Sequence, residues 1–402
     1  MPRRRPDVSS AATMQLSDRI RRVAPSATMA MTQAARTLRE AGRDVISLSV
    51  GEPDFAVPDH IIAAAERAMA DGHTGYTAAD GITELKEAIA AKFERDNGLA
   101  FTTDQINVSP GGKAVLWNVL AVSVGPGDEV IVPTPCWVSY PDMVKLTGAT
   151  PVMLAGGDDF KITAEALERA ITPRTRWLML NSPSNPTGAV YSAEDLGALA
   201  DVLRRHPQVM VLSDDIYEAL VYGNVRFATM ARVAPDLADR IVTMNGVSKA
   251  YAMTGFRIGY AGGPVWLIDA MRKFMGQTTS CAAAPSQWAA LAALNGPQDF
   301  LDGWRAQYRA RAAMMTEAMN AAGLSCSLPD GAFYIFADCR DIMAAKGVGT
   351  DADLAMAILD RAGVATVPGS AFHAPGHLRL SYAASMETLT QACSRIAAFC
   401  AD

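Results

Sequence analysis

The sequence is poor in the features that mark several function classes. Its six cysteines lie far apart with no C-x-x-C pair, so no disulfide framework is expected and the thiols read as buried or incidental ones in a reducing compartment. Its five histidines offer no H-E-x-x-H and no Cys-paired spacing, and His373 and His377 have Pro375 and Gly376 between them, so no metal site is expected. A net charge of −6 gives no footprint for nucleic acid, which leaves Arg3-Arg4-Arg5 as a solvated tail. Residues 6–24 carry no apolar run that would make that tail the start of an export signal, and no later run is long enough to cross a bilayer. The expectation is a cytoplasmic protein without membrane partners. The dinucleotide fingerprint G-x-G-x-x-G is missing too: Gly125-Pro126-Gly127 has Val130 where the third glycine belongs.

What is present is an apolar fraction of 50% with 19% charged residues, the balance of a compact enzyme, over a length of 402 residues that exceeds one ordinary domain. From about residue 105 to 265, short runs rich in Val, Ile and Met alternate with helical patterns. Strands are expected at 105–109, 129–133, 151–154, 177–181, 209–213, 240–244 and 257–261, with helices at 114–124, 164–171 and 193–205 as crossovers. The fold class is therefore α/β, a large domain with a mostly parallel seven-stranded sheet flanked by helices, plus a smaller α+β domain. The boundaries read as a mobile tail 1–15, a segment 16–55 joining the small domain, a large domain 56–297 and a small domain 298–402.

In such sheets ligands sit at the carboxyl ends of the strands, and five expected strand ends are followed by polar clusters. Ser109–Lys113 (SPGGK) opens an apolar helix, so Gly111 and Gly112 can bring backbone N–H groups to an anion. Asp214 follows Val-Met-Val-Leu-Ser; it is equally suited to capping a helix, and Tyr217 would share its face if the next segment were helical. Lys249 is an ordinary turn lysine or a desolvated nucleophile, with Arg257 eight residues on as a phosphate partner. Asn185 lies in a plain Asn-Pro turn, and Trp137 is a core aromatic or a stacking face.

The order of the motifs decides between these readings. GEPDF (51–55), GYTAADGITELKEAI (75–89), SPGGKA (109–114), WVSYPDMV (137–144), NSPSNPTGAVY (181–191), SDDIYE (213–218), NGVSKAYAMTGFRIGYA (245–261), GAFY (331–334) and LRLSYA (378–383) run in the order of one family. The chain resembles the class I aminotransferases among the fold type I pyridoxal-phosphate enzymes, in particular the bacterial aspartate aminotransferase subgroup. The resemblance implies pyridoxal 5'-phosphate as cofactor, bound to Lys249, which also shuttles the proton. It pairs Asp214 with the ring nitrogen and Tyr217 and Asn185 with the phenolic oxygen, and stacks Trp137 on the ring. Gly111, Gly112, Lys113, Ser248 and Arg257 fall in the cofactor set, joined by Tyr76 from the partner of a homodimer. Arg379 is implied as the clamp on the substrate carboxylate, with Gly51, Asn185, Trp137 and Lys113 beside it. One departure is Gly246, where the wider family often has Ser, which removes a hydroxyl contact to the phosphate.

The activity so implied is ping-pong transfer of an amino group between L-aspartate and 2-oxoglutarate. Lys113 would meet the distal carboxylate, with Ser26 and Thr28 lining the same pocket. Resembling members that accept prephenate tend to carry Lys or Arg where this chain has Ala24, so little prephenate activity is expected. The alternatives are an aromatic or broad-specificity aminotransferase, or a pyridoxal-phosphate-dependent C–S lyase. A transcription regulator built on the same domain would need a DNA-binding extension, for which residues 1–22 are too short.

Overall fold

The computed structural model describes residues 16–25 and 27–402; the expected tail 1–15 and Ser26 lie outside the described residues. The strands are β1 Ile46–Ser47, β2 Ile106–Ser109, β3 Glu129–Thr134, β4 Thr150–Ala155, β5 Thr175–Asn181, β6 Met210–Asp214, β7 Ile241–Gly246, β8 Gly259–Gly262, β9 Tyr334–Asp338, β10 Val364–Ala365, β11 Val367–Pro368 and β12 His377–Ser381. Strands β2 to β8 form one seven-stranded sheet in the order β2-β8-β7-β6-β5-β3-β4. Neighbours pair in parallel except β8, which runs against both β7 and β2.

Their near-continuous hydrophobicity has the cause expected of a sheet buried on both faces. Along β5, Leu178 and Leu180 enter the core on one face while Trp177 and Met179 enter the core on the other. Crossover helices supply the covering layers, and the helix Ala193–Arg205 starts at a capping box in which Ser192 and Asp195 each bond the other's backbone N–H. The seventh strand begins later than its sequence indicates. Arg257 takes a left-handed φ of 57° at the end of the short turn Thr254–Phe256, so it stands ahead of β8 rather than inside it.

A second core unites the two ends of the chain. Met31, Val45 and Leu48 pack with Tyr308, Phe333, Leu378 and Phe399 in one buried cluster. Strand β1 pairs in parallel with β10, and β11-β12-β9 form a small antiparallel sheet in which Arg379 faces Phe336. This arrangement carries the segment after β1 and the side chains of β9 and β12 to the carboxyl edge of the large sheet. Among the described residues no helix is long and apolar enough to cross a membrane.

Candidate active site

A cavity of about 370 Å³ opens where the large sheet meets the small one, lined among others by Lys113, Trp137, Asp214, Lys249, Arg257 and Arg379. Asp214 is the last residue of β6 and is buried, 4% exposed. No helix follows it: residues 216–219 form a turn, which removes the capping role, and Tyr217 reaches the cavity from that turn instead of from a shared helical face. Burial lifts the Asp214 carboxyl to about 6, against the pull of the Tyr140 hydroxyl, the Ile216 N–H and the charge of Lys249. Tyr140 Oη donates to Asp214 Oδ2 at 2.6 Å and Ile216 N to Oδ1 at 3.2 Å.

Lys249 lies past the end of β7, and its Nζ donates to the Gly51 carbonyl at 2.6 Å. Burial pulls its ammonium down to about 8; Arg257 and Arg379 add to the shift, while Glu52 and Asp214 oppose it. A neutral amine is thus within reach near neutral pH, as a nucleophile or proton carrier requires.

Two glycines shape the opposite wall. Gly111, at φ 93° and ψ 158°, precedes the helix Gly112–Ser123, and a Cβ there would stand 2.2 Å from Arg257 Nη2. A Cβ on Gly259 would meet Gly112 N at 2.3 Å. Backbone N–H groups at a helix start and a guanidinium are thereby pressed together, an arrangement suited to a phosphate. Ser248 and Thr254 also line the cavity, and the Thr254 carbonyl accepts from Arg257 Nη1 at 2.8 Å.

Arg379 is 2% exposed yet has no carboxylate partner among the described residues. Its Nη1 donates to Asn185 Oδ1 at 3.1 Å and its Nη2 to the Ser49 carbonyl at 2.7 Å, while Nε has no partner among the described residues. The guanidinium lies 4.6 Å from the Tyr334 ring centroid. Desolvation lowers its pKa, and an unpaired buried cation with a free donor is a prepared site for an anion. Lys113 Nζ stands over the Trp137 ring at 4.8 Å, its pKa lowered by desolvation and by Arg257 although the residue as a whole is exposed.

The cavity thus draws together Gly51, Gly112, Lys113, Trp137, Asn185 and Asp214. It also takes in Tyr217, Ser248, Lys249, Arg257 and Arg379, with Gly111 next to it in the chain. Tyr76 is not brought to the cavity of its own chain; it is 93% exposed. Thr28 lines the cavity, and Ser26 lies outside the described residues.

Several contributors escaped the sequence reading. Tyr334 Oη meets Tyr217 Oη at 2.9 Å, and Gly51 lacks the Cβ that would strike Tyr334 Oη at 2.7 Å. Asn181 Oδ1 accepts from Asn185 N and its Nδ2 donates to the Asp214 carbonyl, both at 2.9 Å. The turn after Asp214 is fastened from behind by Glu218, which takes the buried Lys92 ammonium and, at 2.6 Å, Asn97 Nδ2. The π-helical turn Phe93–Asn97 places Asn97 for that contact. The signals in the chain were the motifs themselves: Tyr140 stands three residues after Trp137, Asn181 opens NSPSNPTGAVY, Glu218 ends SDDIYE and Tyr334 ends GAFY.

The family model for aminotransferase class I and II matches residues 43–396. A protein named aspartate/prephenate aminotransferase from Cereibacter sphaeroides is 52% identical, covering 96% of this chain and 98% of its own length. The crystal structure of the aspartate aminotransferase from Rhizobium meliloti superposes with a TM-score of 0.93 at 48% identity, over 96% of this chain and 99% of that one. That of the Thermus thermophilus aspartate aminotransferase with maleate gives 0.91 at 44% identity, over 96% and 99%.

Proposed function

The chain belongs to the class I and II aminotransferases, and from that premise we propose that it moves an amino group between L-aspartate and 2-oxoglutarate with pyridoxal 5'-phosphate as cofactor. The observation that carries this reading is the meeting, in one cavity, of a desolvated lysine, a buried carboxylate and a buried arginine with a free donor.

The residues fit the cofactor. The crowding of Gly111 against Arg257 leaves room for backbone and guanidinium to hold a phosphate but none for a side chain at position 111. Ser248 would add a hydroxyl there, which offsets in part the hydroxyl absent at Gly246. Asp214 would hold a proton on the ring nitrogen, Asn185 and Tyr217 would meet the phenolic oxygen, and Trp137 would cover the ring face. When bound, the cofactor supplies the electron sink that makes an amino acid's Cα–H bond acidic. Lys249 Nζ, near neutral pH able to exist as the free amine, would take the proton from the amino acid's Cα and deliver it to the cofactor's former aldehyde carbon, so that the amino group stays with the cofactor. Arg379 would fix the α-carboxylate through its fork of donors, and Lys113, which lines the same cavity, would meet a second carboxylate.

Aspartate as substrate is supported by the names of the relatives and by maleate, a dicarboxylate, in the Thermus structure. A second reading, with prephenate as a further amino acceptor, is favoured by the name of the Cereibacter relative. Against it stands the uncharged Ala24, exposed ahead of Pro25. The site is read as completed in a homodimer, for which the bare ring of Tyr76 is the supporting feature.

The test is an absorbance spectrum of the purified holoprotein. Aspartate should convert the visible band to that of the aminated cofactor, and 2-oxoglutarate should restore it. A band unmoved by aspartate but moved by phenylalanine refutes the substrate, and a protein that takes up no cofactor refutes the class. Substituting prephenate for 2-oxoglutarate in the same cuvette decides the second reading.

A further inference from the structure

Among the described residues Asp214 has one side-chain hydrogen-bond donor, and it comes from a residue with no role so far. Tyr140 sits on the helix Ser139–Thr147, 3% exposed, edge-on to Trp137 with ring centroids 5.4 Å apart. Its hydroxyl donates to Asp214 Oδ2 at 2.6 Å. The other carboxylate oxygen receives only the Ile216 N–H of its own turn. The charged or titratable groups around this carboxylate are Lys249 from the segment after β7, Tyr217 and Asp215 on its own segment, and Cys136 beside Tyr140.

We propose that Tyr140 is a positioning residue that keeps Asp214 anionic opposite the ring nitrogen of the cofactor, and so sets how fully that ring stays cationic. The inference rests on the reading of the site given above. A proton between a carboxylate and a ring nitrogen can rest on either, and a donor bonded to the carboxylate favours the arrangement with the charge on the ring. In a site where Asp214 is cut off from water, this donor replaces solvation that bulk water would otherwise give. Tyr140 is fitted to the task because it remains a donor: burial and the neighbouring Asp214 push its own ionisation far above the ordinary range. A water in the same place would be free to turn and accept; a phenol fixed by its helix and by Trp137 is held on target.

The test compares holoenzymes of wild type, Tyr140→Phe and Met143→Leu. Met143 is a buried neighbour on the same helix, in the same core cluster, with no O–H or N–H in its side chain to donate. Phe keeps the ring packing and removes only the donor. The readout is the pH midpoint of the bound cofactor's visible absorbance, taken with the cofactor dissociation constant and Tm. A less cationic ring withdraws fewer electrons, so the nitrogen that joins Lys249 to the cofactor keeps its proton to higher pH. Y140F should move the midpoint upward by about one pH unit, the size expected for one hydrogen bond to a charged group. Its kcat should fall about tenfold with KM for aspartate little changed, while M143L should change Tm alone. A Y140F enzyme that binds cofactor yet titrates with the wild-type midpoint overturns the inference, as does an equal shift in M143L. A wild type without a visible band would instead overturn the underlying cofactor assignment.

Discussion

Replacing Gly111 by alanine adds one methyl group at the point where the loop and Arg257 are closest. The new Cβ would sit 2.2 Å from Nη2 and 2.8 Å from Cζ of Arg257, so the guanidinium must move. The backbone at φ 93° and ψ 158° lies in a region that is essentially reserved for glycine, which adds about 1–3 kcal/mol of strain. A displaced guanidinium forfeits a charge-assisted bond to the phosphate, worth about 1.5–3 kcal/mol, or about 10- to 150-fold in the dissociation constant. Titrating the cofactor-free protein with pyridoxal 5'-phosphate should therefore give a G111A affinity lower by about that factor, with R257A falling in the same range. The decisive measurement is the double variant. If the methyl acts by moving Arg257, then G111A/R257A binds only a few-fold more weakly than R257A alone. Fully additive losses, or a G111A protein that binds like wild type, would refute the claim that these two residues form one cradle.

Further outcomes follow from the same geometry. In the cofactor-free protein Lys249 titrates near 8 against an ordinary 10.5, so the unfolded chain binds more protons than the folded one between those pH values and stability rises with pH across that window. Lys249→Met should accordingly be more stable than wild type at pH 7, by up to about 3 kcal/mol, and lose that advantage above pH 10.5; equal denaturant midpoints at both pH values would contradict it. Arg379→Ala should raise KM for aspartate and for 2-oxoglutarate alike, by about 100-fold, because both present the α-carboxylate to the same fork; an effect on one substrate alone would show that the guanidinium serves something else. Lys92→Met leaves the half-buried Glu218 without its cation and should lower stability by about 1–3 kcal/mol, and pairing it with Glu218→Leu should recover much of the loss; thermal melts of the two proteins check this.

How much of this was legible in the chain depends on the distance over which each feature is decided. Buried parallel strands betray themselves locally, so the runs around Leu178, Val211 and Val242 could be read as strands, and the helix Ala193–Arg205 was read to the residue. Lys249, Asp214 and Arg379 were legible as members of a motif order, because each sits where a strand ends or pairs and its neighbours are fixed by the same turn. The start of β8 was misread because the sequence Arg-Ile-Gly-Tyr-Ala looks apolar enough to be all strand, and nothing local reveals that Arg257 adopts a left-handed backbone. The helical continuation after Asp214 failed likewise, since the bond from Ile216 N to the Asp214 side chain favours a turn. Tyr140 and Tyr334 were invisible as partners. Tyr140 meets Asp214 across 74 positions and Tyr334 meets Tyr217 across 117, and such pairs are settled by the packing of whole elements.

The pairing of β1 with β10 has a consequence for how the protein is made. Ile46 leaves the ribosome about 320 residues before its partner Val364 exists, which at ordinary elongation rates is on the order of half a minute. For most of that interval Met31, Val45 and Leu48 lack a complete core to enter, since apart from Tyr217, Leu220 and Tyr222 the later residues of their cluster lie between Tyr308 and Phe399. The stretch Ser49–Gly51, whose carbonyls accept from Arg379 and Lys249, cannot take its final place until residue 379 has been made. Nascent chains should therefore carry a sticky helix at 27–40 that calls for chaperone cover, and catalytic competence waits on a residue made some 330 positions after the backbone it fastens.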